Sequence, residues 1–157
     1  MRPVRRFCRS RKLMALYDLG ATYSTGASNL PSNSVKAGAS SNIRIYEVAA
    51  TSNAAVACAF GFGRPANDGS VVQTSTTNFQ PESIADPAAG AKFATTWSTA
   101  PTSPAVFLRR GAWPATVNYG FIWTFPRGLV LFVNKDVCTW NIVTAAAAMQ
   151  VSIVINE

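Results

Sequence analysis

The chain has 157 residues, of which 14 are basic and seven are acidic, and it contains no histidine. This length corresponds to one ordinary domain, large enough to fold without a disulfide or a structural metal. The lack of histidine removes the commonest general base and the commonest metal ligand, and with them every Ser-His or Cys-His nucleophile arrangement.

The positive charge is concentrated at the start of the chain. Residues 14–157 hold eight basic and seven acidic side chains, so this part is nearly neutral. The sequence therefore predicts a basic arm that contacts a partner, attached to a weakly charged body. Met14 is a second candidate start of translation, and the arm is absent if translation begins there. The six basic residues of the arm are Arg2, Arg5, Arg6, Arg9, Arg11 and Lys12.

The segment after the arm carries no strong strand pattern. Residues 14–23 are expected to be extended, and residues 24–42 are rich in Ser, Asn, Ala and Gly, which is typical of a linker or a long surface loop. We therefore predict an arm and linker over residues 1–42 and a folded domain over residues 43–157.

Strand patterns begin at residue 43. The clearest of them places Val56, Cys58, Phe60 and Phe62 at a spacing of two, with Ala or Gly between them, which predicts one face of large side chains and one thin face. A turn is expected near residues 63–69. The long connection over residues 70–91 is of a kind that usually serves function or an interface. Further strands are predicted over residues 93–97, 106–108, 119–125, 129–133, 137–143 and 149–155.

Seven or eight short strands with Pro/Gly-rich connections, and no long amphipathic helix, predict an all-β fold: a β-sandwich or jelly roll with an extended basic N-terminal arm. A tight turn at Pro126-Arg127-Gly128 is expected to separate two of these strands. The strand from Leu129 to Val133 is apolar at every position, so both of its faces need cover. A loop of the same chain is one possible cover; a neighbouring subunit is the favoured one.

The chain offers few groups for catalysis or metal binding. Cys8, Cys58 and Cys138 match no metal motif, and the last two lie in apolar runs, which favours buried free thiols over a disulfide. Glu82 and Asp86 are spaced like a catalytic or calcium pair, but the prolines around them favour solvated loop acids. We therefore predict no enzyme, no metal and no cofactor. The apolar runs are far shorter than the roughly 20 residues of a membrane span.

Several residues are candidates for contact with a partner. Most tryptophans lie at period two in predicted strands, which favours core packing, but Trp113 lies in a Pro/Gly-rich loop after two arginines and is predicted to be exposed. The doubly apolar strand supplies further candidates. The predicted subunit interface comprises Arg109, Arg110, Trp113, Leu129, Leu131 and Val133.

The basic arm has two interpretations. As a nucleic-acid contact, six cations give a salt slope of very roughly −5 on duplex DNA. As a protein contact, the arm follows an acidic partner surface and becomes ordered on binding. The second interpretation is favoured because the weakly charged body offers no groove that extends a nucleic-acid site.

The segment from Ile43 to Glu157 resembles small β-rich structural proteins of tailed bacteriophage virions. The resemblance covers about three quarters of the chain and rests on turn and strand patterns without chemistry; the basic arm is not part of it. The matching pieces are Ala59-Phe60-Gly61-Phe62-Gly63-Arg64-Pro65-Ala66, Leu108-Arg109-Arg110, Trp123-Thr124-Phe125-Pro126-Arg127-Gly128-Leu129 and the closing run to Asn156-Glu157.

This resemblance implies a structural role without enzymatic activity. It leads us to expect a capsid decoration (cement) protein that stabilises joints between capsid subunits, with a tail or head–tail component as the alternative. The expected partners are the major capsid protein or other virion proteins, and the expected assembly is a homo-oligomer, with a trimer favoured. The expected location is the virion, assembled in the host cytoplasm, and a nucleic-acid-binding module led by the arm is the less favoured function.

Overall fold

The computed structural model describes residues 14–24, 30–143 and 148–157. This part of the chain is all-β and contains no helix, so the predicted β-sandwich class is confirmed. Its strands are β1 (Leu16–Ser24), β2 (Pro31–Lys36), β3 (Ile43–Ser52), β4 (Cys58–Gly63), β5 (Val72–Thr74), β6 (Thr77–Asn78), β7 (Gln80–Pro81), β8 (Lys92–Ala94), β9 (Thr96–Thr99), β10 (Arg109–Trp113), β11 (Gly120–Leu131), β12 (Asp136–Val143) and β13 (Ala148–Asn156).

Two antiparallel sheets form the sandwich. The first, sheet A, has the strand order β11-β3-β13-β1-β7, and the second, sheet B, has the order β10-β4-β12-β2-β8-β6. The longer strands pair in nested fashion: β1 with β13, β2 with β12, β3 with β11 and β4 with β10. The first four strands and the last four therefore form one long antiparallel hairpin, which is folded so that its pairs alternate between the two sheets.

The main core lies between the sheets. The predicted large-residue face is confirmed in β4, because Cys58, Phe60 and Phe62 are all buried there. Val48 and Ile153 of sheet A are buried in the same core cluster. The predicted free thiols are confirmed for Cys58 and Cys138, whereas Cys8 lies outside the described residues.

A second apolar layer covers the outer face of sheet B. There Gly61 pairs with Trp140, which is fully buried, and the ring of Phe107 packs 5.7 Å from the Trp140 ring. A Cβ atom at residue 61 would come within 2.6 Å of the Phe107 ring, so only glycine fits beneath it. The connection between β4 and β10, residues 64–108, therefore packs on the thin face predicted for β4. We call it the long connection.

Hydrogen bonds to β2 also attach this connection to sheet B. The buried Ser34 hydroxyl accepts hydrogen bonds of 2.8 Å from Trp97 Nε1 and from Gln73 Nε2. The short strands of Gln73 and Trp97, β5 and β9, pair with each other as a separate two-stranded sheet. One serine side chain therefore links this small sheet to sheet B.

Ser34→Ala is expected to lower the free energy of unfolding by about 1–3 kcal/mol, because Trp97 Nε1 loses its acceptor and Gln73 Nε2 keeps only its longer bond, of 3.3 Å, to the Ser34 carbonyl. Urea denaturation followed by circular dichroism measures the change. Thr74→Ala, which removes a hydroxyl pair with Thr96 that is exposed to solvent, is the control and should cost much less. Equal losses in the two variants would contradict the anchoring role of Ser34.

The linker predicted over residues 24–42 is wrong in part, because it contains β2, a central strand of sheet B. Two of its buried polar residues are paired: Asn33 donates a 2.5 Å hydrogen bond to the Tyr23 hydroxyl, and Ser34 receives the two bonds described above. The Ser32 hydroxyl is buried without a hydrogen-bond partner among the described residues. The extended residues 14–23 are likewise part of the sandwich, as β1. The folded domain therefore begins before residue 43.

Two local predictions are also corrected. Pro126-Arg127-Gly128 forms no tight turn but lies within β11, where the register with β3 shifts between Thr124 and Leu129. Pro126 has no N–H to donate and Gly128 has φ +67°, which suits a bulge in an edge strand. Residues 106–108 form no strand either, because Phe107 instead packs onto the outer face of sheet B.

Candidate functional site

One lateral edge of the sandwich carries most of its unpaired positive charge. Strands β10 and β11 are the edge strands of the two sheets and lie next to each other. Arg109 on β10 extends across the gap between the sheets, and its guanidinium lies 5.1 Å from the centre of the Phe125 ring. Arg110, which points the opposite way, stacks on Phe107 at 5.9 Å. The aromatic rings therefore hold both cations at the surface.

Further arginines surround the β11 bulge. Arg44 Nη1 donates a 3.1 Å hydrogen bond to the carbonyl of Arg127, and Arg64 Nη2 donates one of 3.0 Å to the carbonyl of Val130. Arg127 itself is exposed. We call this set the arginine rim, composed of Arg44, Arg64, Arg109, Arg110 and Arg127.

A shallow groove of about 370 Å³ runs along the rim. It is lined by Arg109, Phe125 and the residues of the bulge, 126–129. None of the rim arginines forms an ion pair within the part of the chain that the structure describes. Glu47 is the acid closest in register, opposite Thr124, and it too is unpaired. The rim thus presents a net positive surface with an apolar floor.

The backbone at this edge is protected against the addition of another strand. The bulge, Pro126 and the two arginine side chains on β11 carbonyls interrupt the regular ladder that an added strand needs. At the opposite edge of sheet A, β7 is only two residues long and includes Pro81. Contacts at the β11 edge are therefore expected to be made by side chains, whereas at the other edge β7 covers only Tyr17 and Asp18 of β1.

The structure brings together only part of the predicted interface. Arg109 and Leu129 line the groove of the rim, and Arg110 lies beside it on the outer face of sheet B. Val133 is 40% exposed but follows the end of β11, where its N–H donates to Asn42 Oδ1. The participation of these residues in an interface stays a prediction.

Two predicted interface residues are core residues instead. Trp113 is buried rather than exposed, because β10 pairs with β4 and places its ring 4.6 Å from Phe60 and 5.5 Å from Phe121. Leu131 is fully buried, opposite Ile43 on β3. Exposure at the end of this apolar run is greatest at Phe132, which is 60% exposed.

A buried ionic group at Asp136 was not identified from the sequence; this residue directly precedes the strand predicted over residues 137–143. It is the first residue of β12, fully buried, and its carboxylate lies 3.5 Å from Lys36 Nζ. Burial raises the pKa of this carboxyl to about 6, against the lowering effect of the Lys36 ammonium. Lys36 also donates a 2.6 Å hydrogen bond to the Val71 carbonyl, so the pair lies under the long connection. The sequence held no signal for this burial.

The six basic residues of the predicted arm lie outside the described residues. Within the described ranges, no group of three or more Cys, Asp and Glu side chains is placed to hold a metal ion. No helix in those ranges is long and apolar enough to cross a membrane. Glu82 is exposed and Asp86 half-buried in the connection before β8, and their catalytic or calcium-binding role was not favoured by the sequence. No family model, no curated protein and no solved structure matches this chain.

Proposed function

We propose that this chain is a structural virion protein of a tailed bacteriophage, a capsid decoration protein that stabilises joints between capsid subunits. The observation that carries the proposal is the arginine rim, a charged, aromatic-supported surface with no internal acidic partner among the described residues. Such a surface fits an acidic protein partner and supplies no nucleophile or general base.

The order of the strands supports the same role. We infer from the nested pairs β1·β13, β2·β12, β3·β11 and β4·β10 that the long hairpin is wound as a jelly roll. Jelly rolls are used by viral capsid domains, among others, so this winding agrees with the proposal without identifying the function. The resemblance of the turn and strand motifs to phage structural proteins is the reason that we propose a virion protein.

Exposed apolar side chains also favour a chain that is partly covered by other subunits in an assembly. Ile122 and Phe132 are about three-fifths exposed, at 62% and 60%, and Val106 is exposed to 82%. Isolated exposed apolar side chains are ordinary, but here they accompany a weakly charged body. Coverage by capsid subunits would remove them from water.

Mixing the purified chain with capsid shells that lack it, followed by sedimentation, tests the proposal. We expect the chain to sediment with the shells at a copy number that follows the number of capsid subunits, and to raise the temperature at which the shells rupture. Full-length protein that leaves the shells unbound would overturn the proposal. A copy number that follows the symmetry of the tail would favour a tail or head–tail component, and salt-dependent DNA binding without shell binding would favour the nucleic-acid module.

A further inference from the structure

The edge of sheet A opposite the arginine rim is acidic. Glu82, Asp86 and Glu157 lie around the start of β1, and we call them, with Tyr17, the acidic corner. The Glu82 N–H donates to the Leu16 carbonyl, and Glu157 N–H donates to the Ala15 carbonyl. Asp86 and Glu157 line a cavity of about 440 Å³ that opens at this corner.

One buried side chain in this cavity has no partner. Tyr17 is only 2% exposed, lines the cavity, and its hydroxyl forms no hydrogen bond with any described residue. Burial raises the pKa of Tyr17, and the nearby Glu157 and Asp86 carboxylates raise it further. The neutral hydroxyl is therefore available to a group that enters the cavity alongside the two carboxylates.

The two carboxylates of the cavity differ in role. Glu157 Oε2 accepts hydrogen bonds from the backbone N–H of Gly90, at 2.8 Å, and of Ala91, at 3.2 Å, and its other oxygen accepts one from Ser41. It fastens the C-terminal end of β13 to the loop before β8. Asp86 has no such contacts for its side chain among the described residues, so it is the carboxylate free to pair with a cation.

The strand register places the acidic corner and the arginine rim at the same height of sheet A. Leu16 lies opposite Asn156, Asn156 opposite Arg44, and Arg44 opposite Val130. The corner and the rim are therefore at the same end of the strands, on opposite edges of a sheet only about 20 Å wide by the usual strand spacing. When two copies lie side by side, the acidic corner of one copy can therefore face the arginine rim of the other.

We propose that copies of this chain associate head to tail, with the arginine rim of one copy bound in the acidic corner of the next. Arg109 and Arg127 are the cations that face the groove, and Asp86 with the Tyr17 hydroxyl receives a guanidinium. Such a contact is heterologous and closes into a ring when the rotation between copies allows it. The proposal rests on the structural role proposed above and adds the surfaces through which the chain meets its own copies.

Charge reversal tests this contact in the full-length protein. Sedimentation velocity of the wild-type chain should show self-association that weakens with added salt. Arg127→Glu and Asp86→Lys should each weaken self-association at least tenfold. An equimolar mixture of these two variants should associate again, because each supplies the surface that the other lacks. Lys92→Glu changes the net charge as much as Arg127→Glu does, and should associate like the wild type.

The outcomes separate this contact from the alternatives. Wild-type protein that stays monomeric at every concentration, or a variant mixture that fails to associate while both variants keep native circular dichroism, would overturn it. Loss of association in Arg11→Ser/Lys12→Ser, with Arg127→Glu unaffected, would also overturn it and assign the corner to the basic arm. Binding to capsid shells, measured separately, decides the proposed function, which survives if only the contact between copies fails.

Discussion

Trp140→Ala is expected to lower the free energy of unfolding by about 3–5 kcal/mol, the range for removal of a large buried aromatic side chain. Trp140 is fully buried and lies on the outer face of sheet B, where Phe107 covers it. Its loss leaves a cavity and also removes the support of Phe107, so the long connection should detach more readily. Urea denaturation measures the first effect, and limited proteolysis between residues 64 and 108 measures the second.

Trp140→Phe is the matched control. Trp140 Nε1 is buried without a hydrogen-bond partner among the described residues, so phenylalanine loses volume but also removes an unsatisfied donor. We expect this variant to lose less than half of the stability lost by Trp140→Ala and to keep the connection resistant to protease. An alanine variant as stable as the wild type would show that the layer outside sheet B contributes little.

The burial of Trp140 was predictable from its sequence, but its contact was not. Its position in an apolar strand indicated core packing, and the glycines of β4 indicated a thin face. Neither pattern shows that Phe107, 33 residues before Trp140 in the sequence, fills the space above Gly61. Docking of a connection onto a sheet depends on non-local shape, which has no period in the sequence.

Strand β2 was not predicted from the sequence, for a different reason. Hydrophobic alternation detects strands whose inner face is apolar, whereas Asn33 and Ser34 are buried polar residues with hydrogen-bond partners. Their composition is that of a loop, and only the position of Tyr23, Gln73 and Trp97 makes it suitable for a strand. The sequence therefore placed the start of the domain too late.

The arginine rim was predictable only in part. Arg109 and Arg110 were identified beside a Pro/Gly-rich segment, but that segment misled the prediction for Trp113, which belongs to β10 and pairs with Cys58 of β4. Arg44 lies in β3 and Arg64 in the loop after β4. Their side chains come close together only because both donate hydrogen bonds to backbone carbonyls of β11. A charge cluster built from distant segments is a property of the fold.

Stability should fall as the pH rises from about 4 to about 6 because of Asp136. Burial raises the pKa of this carboxyl from 3.8 to about 6, with Asp68 adding to the rise and the ammonium groups of Lys36 and Lys135 opposing it. In that pH window the folded state keeps a proton that the unfolded state has lost. A difference of about two units corresponds to about 3 kcal/mol of stability, present at low pH and lost above the folded pKa.

Asp136→Asn should remove this dependence. At pH 8 the variant is expected to be about 1–3 kcal/mol more stable than the wild type, because a buried carboxylate without hydrogen bonds is replaced by a neutral group and the partly exposed Lys36 keeps its hydrogen bond to the Val71 carbonyl. At pH 4 the two proteins should be nearly equal. Asp68→Ala is the control: it removes the acceptor of the Asp136 N–H, at 3.0 Å, and should destabilise the protein at both pH values. Thermal unfolding between pH 4 and pH 8 measures all three proteins. A wild-type stability that rises across this range, with Asp136→Asn less stable at pH 8, would mean that Lys36 outweighs burial and that the ion pair holds the connection onto sheet B.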